Sequence, residues 1–202
     1  VDEVFDARIG DVSGRGKLGA DMREIWLMQP RFDKRTGNAP FSLAEQARFR
    51  AGFDYLRLRQ IDATELQRSL NVDLNDRDAR VSELEAAELF NRAAVLAQDP
   101  DLGVHVAEHI RPGHYGVLGY VAMACTTLGE AMLAQQRYQG LVITVAPVDV
   151  RIDAEAIVLS WNRSTDLRYR QLAEFNLAGM LTFVRWITGQ AISPLGVDFT
   201  YE

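Results

Sequence analysis

The spacing of apolar residues changes along the chain, from a helical repeat in the first two thirds to a mixture of helix and strand afterwards. Between Ser42 and Arg59, Phe49 and Phe53 lie four positions apart and Leu56 continues the same stripe, which predicts a long helix. Further helices are predicted over residues 61–70, 82–98, 101–110 and 166–189.

The centre of the chain, residues 112–138, is rich in small apolar residues between glycines. Pro112 interrupts the preceding helix, while Thr126 and Thr127 offer hydroxyl caps for a second helix that starts near Gly129. Gly, Ala and Cys let neighbouring backbone approach closely, so this stretch predicts a buried helix pair at the centre of a domain.

Beyond residue 140, apolar and polar residues alternate, which is typical of half-buried strands. The runs GLVITVAPVDVRI and AEAIVLSWNR predict two strands that pair, and ISPLGVDFTY predicts a last strand. The helix before it ends at Gly189, which suits a left-handed C-cap. This order predicts an α+β fold that is mainly helical, with a small antiparallel sheet packed on the central helix pair and a long C-terminal helix.

The first eighteen residues are rich in glycine and predict a loop. The run GDVSGRGK lacks the pattern of a phosphate-binding loop, because Leu18 follows Lys17 where a Ser or Thr is required. Asp21 is placed to cap a helix through MREIWLMQ, which Pro30 ends.

Composition is that of a globular protein with an ordinary core: 202 residues, 48% hydrophobic and 25% charged. The single cysteine, Cys125, leaves no internal disulfide and points to a reducing compartment. The polar first residues do not form a signal peptide, so we expect a cytoplasmic location. The apolar central stretch is too short and too interrupted to span a membrane.

The net charge differs in sign between the first and the second part of the chain. Residues 1–60 hold 11 Lys and Arg against 9 Asp and Glu, a net of +2, and residues 61–202 hold 11 against 19, a net of -8; together these give -6. Only the first part is therefore suited to contact phosphate.

A basic turn follows Pro30, and basic residues also lie beside the aromatic stripe of the long helix. Together with MREIW, QPRF and ARFRAGFDYLRLR, this segment resembles the C-terminal arm of bacterial poly(A) polymerases over about residues 1–59. The resemblance implies an RNA-binding arm without the catalytic head, with RNA contact within residues 15–59. The candidate RNA-binding residues are Arg31, Lys34, Arg35, Arg48 and Arg50.

The remainder, about residues 60–202, resembles the effector-binding (arabinose-binding-like) domain of AraC-type transcription regulators. RPGHYGVLGY, the TLGEAM helix start and the terminal P-L-x-V-x-F strand carry the resemblance. It implies small-molecule sensing and homodimerisation. The family's DNA-binding helix-turn-helix lies C-terminal to this domain, and we expect it outside this chain, which we also expect to stop soon after the last strand of the domain.

Ligand pockets are mostly apolar with a few placed polar groups, and aromatic and basic residues of the second part suit such a site. An arginine there can clamp a carboxylate or phosphate, although each of these residues also suits an ordinary core or surface position. We expect a small anionic or polyhydroxyl metabolite. The candidate ligand-binding residues are Tyr115, Tyr120, Trp161, Arg163, Tyr169 and Arg170.

His105 to His109 form an H-x-x-E-H pattern, with His114 nearby, but so short a match arises readily by chance, and we expect no metal or cofactor. Cys125 has no basic neighbour in sequence to activate it, so we expect an inert thiol and no catalytic residue.

The sequence thus predicts a non-enzymatic, ligand-sensing domain of an AraC-type regulator over residues 60–202, as the compact unit, preceded by the arm over residues 1–59. The alternative is the RNA-binding C-terminal part of a poly(A) polymerase, acting in RNA 3′-end processing.

Overall fold

A computed structural model describes residues 4–9, 43–69, 83–139, 148–152, 156–162 and 169–199. Its elements confirm a mainly helical α+β fold with a small antiparallel sheet and a long C-terminal helix. In chain order they are β1 (Val4–Ile9), α1 (Leu43–Leu58), α2 (Thr64–Ser69), α3 (Glu83–Ala97), α4 (Leu102–Ala107), a 3₁₀ helix (Pro112–Tyr115), α5 (Val117–Met123), α6 (Leu128–Tyr138), β2 (Val148–Ile152), β3 (Ile157–Asn162), α7 (Arg170–Thr188) and β4 (Pro194–Asp198).

The four strands form one antiparallel sheet in the order β2-β3-β1-β4. One row of paired residues crosses all four strands, from Val150 through Leu159 and Ala7 to Val197. The predicted pairing of β2 with β3 and the predicted last strand are therefore confirmed.

The prediction of a loop over the first eighteen residues is wrong for Val4–Ile9, which form an inner strand between β3 and β4. The run VFDARI does alternate, but it is short and is followed by a glycine-rich stretch. Both partners of β1 lie about 150 residues or more farther along the chain, and strand formation depends on such neighbours more than on local preference.

Helix α7 is the centre of the helical layer, and α4 packs against it more closely than any other described helix does. Gly103 allows this approach, because a Cβ at this position would collide with the backbone carbonyl of Gln171. The Gly103 amide donates to Gln171 Oε1 at 2.8 Å, and Gln171 Nε2 donates to the carbonyl oxygen of Pro100. The start of α4 is thus fixed on the first turn of α7.

One buried cluster joins the helices to the sheet. Phe90 of α3 packs on Phe175 of α7 with ring centroids 4.7 Å apart, a distance typical of favourable aromatic pairs. Helix α1 contributes Ala51, Tyr55 and Leu56, all buried in the same cluster. The core therefore includes a helix from the segment that resembles the polymerase arm.

The predicted cap of α6 is confirmed. The Thr127 hydroxyl accepts from the Glu130 amide at 3.1 Å, and the Glu130 carboxylate accepts from the Thr127 amide at 3.2 Å, which forms a capping box.

The prediction of a buried central helix pair is wrong for one face of α5. Val117, Tyr120 and Met123 are 57%, 67% and 58% exposed along its outer face. The opposite face is buried: Leu118 and Ala122 lie in the interior, and Gly119 lies so close to the 3₁₀ helix that a Cβ would meet the Pro112 carbonyl oxygen. The small residues thus serve a close approach on one side of a surface helix.

Gly189 caps α7 with φ of 64°, as predicted. The predicted helix after Asp21 and the predicted cap at Ser82 lie outside the described residues. Among the described helices, none has the length and apolar character that crossing a membrane requires.

Substituting Gly103 tests the packing of α4 on α7. Gly103→Ala should lower the free energy of unfolding by about 1–3 kcal/mol or more, because the added methyl overlaps backbone atoms that have no room to move. The matched control is Gly52→Ala in α1, because a Cβ at this position meets nothing within 4 Å. The higher helix propensity of alanine should raise the free energy of unfolding by roughly 1 kcal/mol. Urea unfolding measures both, and equal effects of the two substitutions would contradict this packing.

Candidate functional site

The structure places the predicted ligand residues in separate parts of the fold. Trp161 lies in β3, where its backbone pairs with Val148 on one side and Phe5 on the other. Arg163 lies outside the described residues. Trp161 is thus at the end of the sheet where β2 begins.

The two predicted tyrosines of the central stretch have different surroundings. Tyr115 is buried, and its ring packs on Phe183 of α7 with centroids 4.4 Å apart. Tyr120 projects from the outer face of α5 into solvent. They do not form a common site with each other.

Tyr169 and Arg170 lie half-buried at the start of α7. Arg170 Nε donates to Glu174 Oε1 at 2.7 Å, and Arg170 Nη2 is 3.3 Å from Asp101 Oδ1. Since two carboxylates already hold this guanidinium, an anionic ligand would have to compete with both of them.

Helix α6 lies along the edge strand β2. Near its start, a Cβ at Gly129 would be 3.6 Å from Ile152 Cδ1, and farther along Gln136 Nε2 donates to Asp149 Oδ1 at 3.0 Å. At its end, Gln139 Nε2 donates to the Val148 carbonyl and Gln139 Oε1 accepts from the Val148 amide, both at 2.8 Å. These contacts fix α6 against the whole length of the strand.

Gln135 lies one turn before Gln139 and is 2% exposed. Neither Nε2 nor Oε1 of Gln135 has a hydrogen-bond partner among the residues that the structure describes. An unsatisfied buried polar group costs about 1–3 kcal/mol, so native proteins contain few of them. Gln135 was not among the residues predicted from the sequence, and its signal there is the helical spacing from the buried residues Leu128, Ala131 and Met132.

A buried carboxylate organises a second polar cluster, the Asp99 network (Tyr55, Arg59, Asp99, His105). Asp99 is 7% exposed and its Oδ2 accepts from the Tyr55 hydroxyl at 2.8 Å. His105 Nδ1 is 2.8 Å from the same oxygen, and Arg59 Nη1 donates to the Tyr55 hydroxyl at 2.8 Å. These hydrogen bonds join α1 to α4, and each side chain of the network has a partner within the protein.

The two histidines of the H-x-x-E-H pattern, and His114 beyond it, each contact another group of the protein. His105 faces Asp99, and the His109 ring lies 5.6 Å from the Tyr55 ring. The His114 ring accepts from the Arg111 amide at 2.9 Å, and burial lowers the pKa of His114. No cluster of three His, Cys, Asp or Glu side chains suited to a metal occurs in the described part of the chain.

Cys125 is half-buried, and its thiol donates to the Val121 carbonyl. Burial, with a smaller effect of Glu130, raises the pKa of Cys125, which disfavours the nucleophilic thiolate.

Three of the predicted RNA-binding residues, Arg31, Lys34 and Arg35, lie outside the described residues. Arg48 and Arg50 lie in α1, and Arg50 is exposed. Just after α1, Arg59 belongs to the Asp99 network, so its guanidinium is engaged within the protein.

The model of a family described as the arabinose-binding domain of AraC transcription regulators, N-terminal, matches residues 61–202. The chain belongs to this family. Another model, the arginine-rich C-terminus of polymerase A, matches residues 1–72. Both resemblances seen in the sequence are therefore confirmed, and α2 lies within the overlap of the two matches.

Similar proteins are of the same two kinds. Poly(A) polymerase I of Haemophilus influenzae is 40% identical over 57 residues, which are 28% of this chain and 13% of that protein. Uncharacterised HTH-type transcriptional regulators of Mycobacterium bovis and Mycobacterium tuberculosis are each 33% identical over 81 residues, 40% of this chain and 23% of theirs. The matched region is thus less than a quarter of each of these relatives.

Stability should depend on pH through the Asp99 network. The hydrogen bond to Asp99 raises the pKa of His105; burial raises the pKa of Asp99, but hydrogen bonds from His105, Tyr55 and the Asp101 amide outweigh this and lower it. The His105 contribution is therefore complete below the ordinary histidine pKa of about 6.5 and is lost as the pH rises through the higher folded value.

His105→Gln should consequently destabilise the protein more at about pH 5.5 than at about pH 9 in urea unfolding. In an Asp99→Asn background this difference between the two pH values should disappear, because the partner charge is gone. A His105→Gln effect that is equal at both pH values would show that the pair does not contribute as an ion pair.

Proposed function

We propose that this chain senses a small-molecule effector as part of an AraC-type transcription regulator, without catalysing a reaction. The observation that carries the proposal is the match of residues 61–202 to the arabinose-binding domain of that family. The mycobacterial relatives are named HTH-type regulators, and we assign DNA contact to such a module rather than to this domain. Homodimerisation and a cytoplasmic location belong to the same proposal.

The effector site that we propose centres on Trp161, at the sheet end where β2 begins, and keeps Tyr169 and Arg170 as further candidate contacts. Tyr169 is half-buried against the core and offers a flat surface, and Arg170 and Arg163 offer charged groups. Because Arg170 is already paired with Asp101 and Glu174, a polyhydroxyl effector suits this site better than an anion. Tyr115 and Tyr120 are the weaker members of the set, because one is packed in the core and the other faces solvent.

A thermal-shift screen of sugars, amino acids and organic acids tests this function. A ligand that binds only the folded state at a hundredfold excess over Kd stabilises it by about 2.7 kcal/mol. For a domain of this size this corresponds to a rise in Tm of about 5–10 °C. We expect Trp161→Ala and Arg163→Ala to remove the rise while the protein stays folded.

The matched control is Trp186→Ala, which removes a half-exposed tryptophan that stacks on Arg111 near the end of α7. This variant should keep the ligand response. A response that persists unchanged in Trp161→Ala and Arg163→Ala would refute this location of the site, and a screen without any response would count against effector sensing itself.

RNA binding by the first segment is a second candidate function. It is supported by the match of residues 1–72 to the polymerase A arginine-rich C-terminus and by the position of Arg48 and Arg50 in α1. We place the contacts within residues 15–59, including Arg31, Lys34 and Arg35. The second part of the chain, with its net charge of -8, would repel phosphate.

Binding of fluorescent oligoadenylate at increasing salt tests this candidate. Each phosphate contact on a single strand contributes about -0.7 to the slope of log affinity against log salt. Arg48→Gln with Arg50→Gln should therefore weaken binding and make the slope shallower by about 1.4. The control pair Arg92→Gln and Arg137→Gln, exposed and outside residues 1–72, makes the same charge change and should affect neither quantity. Equal losses in both pairs would indicate non-specific attraction.

A further inference from the structure

Among the buried polar side chains of the described core, Gln135 is the one of which neither polar atom has a hydrogen-bond partner. Asp99 has its network, Gln139 holds both backbone groups of Val148, and Gln171 joins α4 to α7. Gln135 is equally buried, yet neither its carbonyl nor its amino group has a hydrogen-bond partner among the described residues. A group of this kind is retained at a cost to stability, which calls for a reason.

The position of Gln135 identifies where a partner would lie. It is on the same face of α6 as Ala131, Met132 and Gln139, and that face packs toward the core beside β2. Gln139 fixes the end of α6 on Val148, whose partner across the sheet is Trp161. The free amide is therefore one helical turn from the sheet end where the effector site is proposed.

We propose that Gln135 is the recognition group of a buried ligand site on the core-facing side of α6, and that this site takes a neutral ligand with adjacent hydrogen-bond donor and acceptor groups. A carboxamide and a vicinal diol both have this arrangement. The inference rests on the proposed effector sensing and adds the residue and the ligand chemistry to it.

The surroundings favour a neutral ligand over an ion. A primary amide offers one acceptor oxygen and two donor hydrogens side by side, so it pairs with a group that presents the complementary pair. Gln139, the next polar residue on this face, is neutral and has its amide engaged, while the buried carboxylates Asp99 and Glu174 belong to the Tyr55 and Arg170 clusters. A buried carboxylate ligand would find no cation among the described core residues, which makes its desolvation costly.

Stability of the ligand-free protein gives the first test. Gln135→Met keeps the length of the side chain and removes the unsatisfied groups, so Tm should rise by about 2–4 °C. Gln136→Met is the neighbouring control: it removes the hydrogen bond to Asp149 and should not raise Tm. A lower Tm in both Gln135→Met and Gln135→Leu, or failure of both variants to fold, would show that the amide is bonded within the protein and would overturn the proposal.

Paired probes give the second test. Nicotinamide and L-arabinose are compared with nicotinate and L-arabinonate, in which a carboxylate replaces the carboxamide of the first and the C1 hemiacetal of the second. We expect a rise in Tm with at least one neutral probe and none with its acid partner. The rise should be lost in Gln135→Met and kept in Gln136→Met.

The outcomes separate this inference from the function on which it rests. A rise caused by nicotinate or L-arabinonate, or a neutral-probe response that survives in Gln135→Met, overturns the Gln135 site but leaves effector sensing intact. No response to either neutral probe overturns the proposed ligand chemistry. If the wider screen of sugars, amino acids and organic acids also gives no rise in Tm, effector sensing is refuted as well.

Discussion

The close approach of α4 to α7 at Gly103 is the contact on which the arrangement of the helical layer depends. Because this residue has no side chain, the amide of α4 reaches Gln171, and Gln171 in turn holds the Pro100 carbonyl. The same approach fixes the segment that carries Asp99 and His105, and so determines where the Asp99 network can form. Helix α1 then adds the Tyr55 hydroxyl to that buried carboxylate.

This arrangement gives the first segment of the chain a structural role that its resemblance to a polymerase arm does not suggest. Ala51 and Leu56 are buried with residues of α3, α4 and α7, and β1 lies inside the sheet between β3 and β4. Elements from the segment matched to the polymerase tail thus complete both the helical core and the sheet of the family domain. Any RNA contact by α1 is restricted to the face that the core leaves exposed.

The sequence was sufficient for features that local patterns determine. The long stripes of α1, α3 and α7, the capping box at Thr127 and the alternation of β2 and β3 were predictable because each depends on neighbours in the chain. Strand β1 and the Tyr55–Asp99 hydrogen bond were not, since their partners are far apart in sequence. The spacing of Gln135 indicates its helix face, but only the packed structure shows that its amide lacks a partner.

The central claim is that the described parts of the chain form one packed body that includes α1. Hydrogen–deuterium exchange tests it directly, because amides opened only by global unfolding share one free energy of opening. We expect the buried turn of α1 around Tyr55 to exchange as slowly as the middle of α7 around Phe183, with both accelerated equally by low urea. Exchange of α1 at the rate of an unfolded peptide while α7 stays protected would contradict the account.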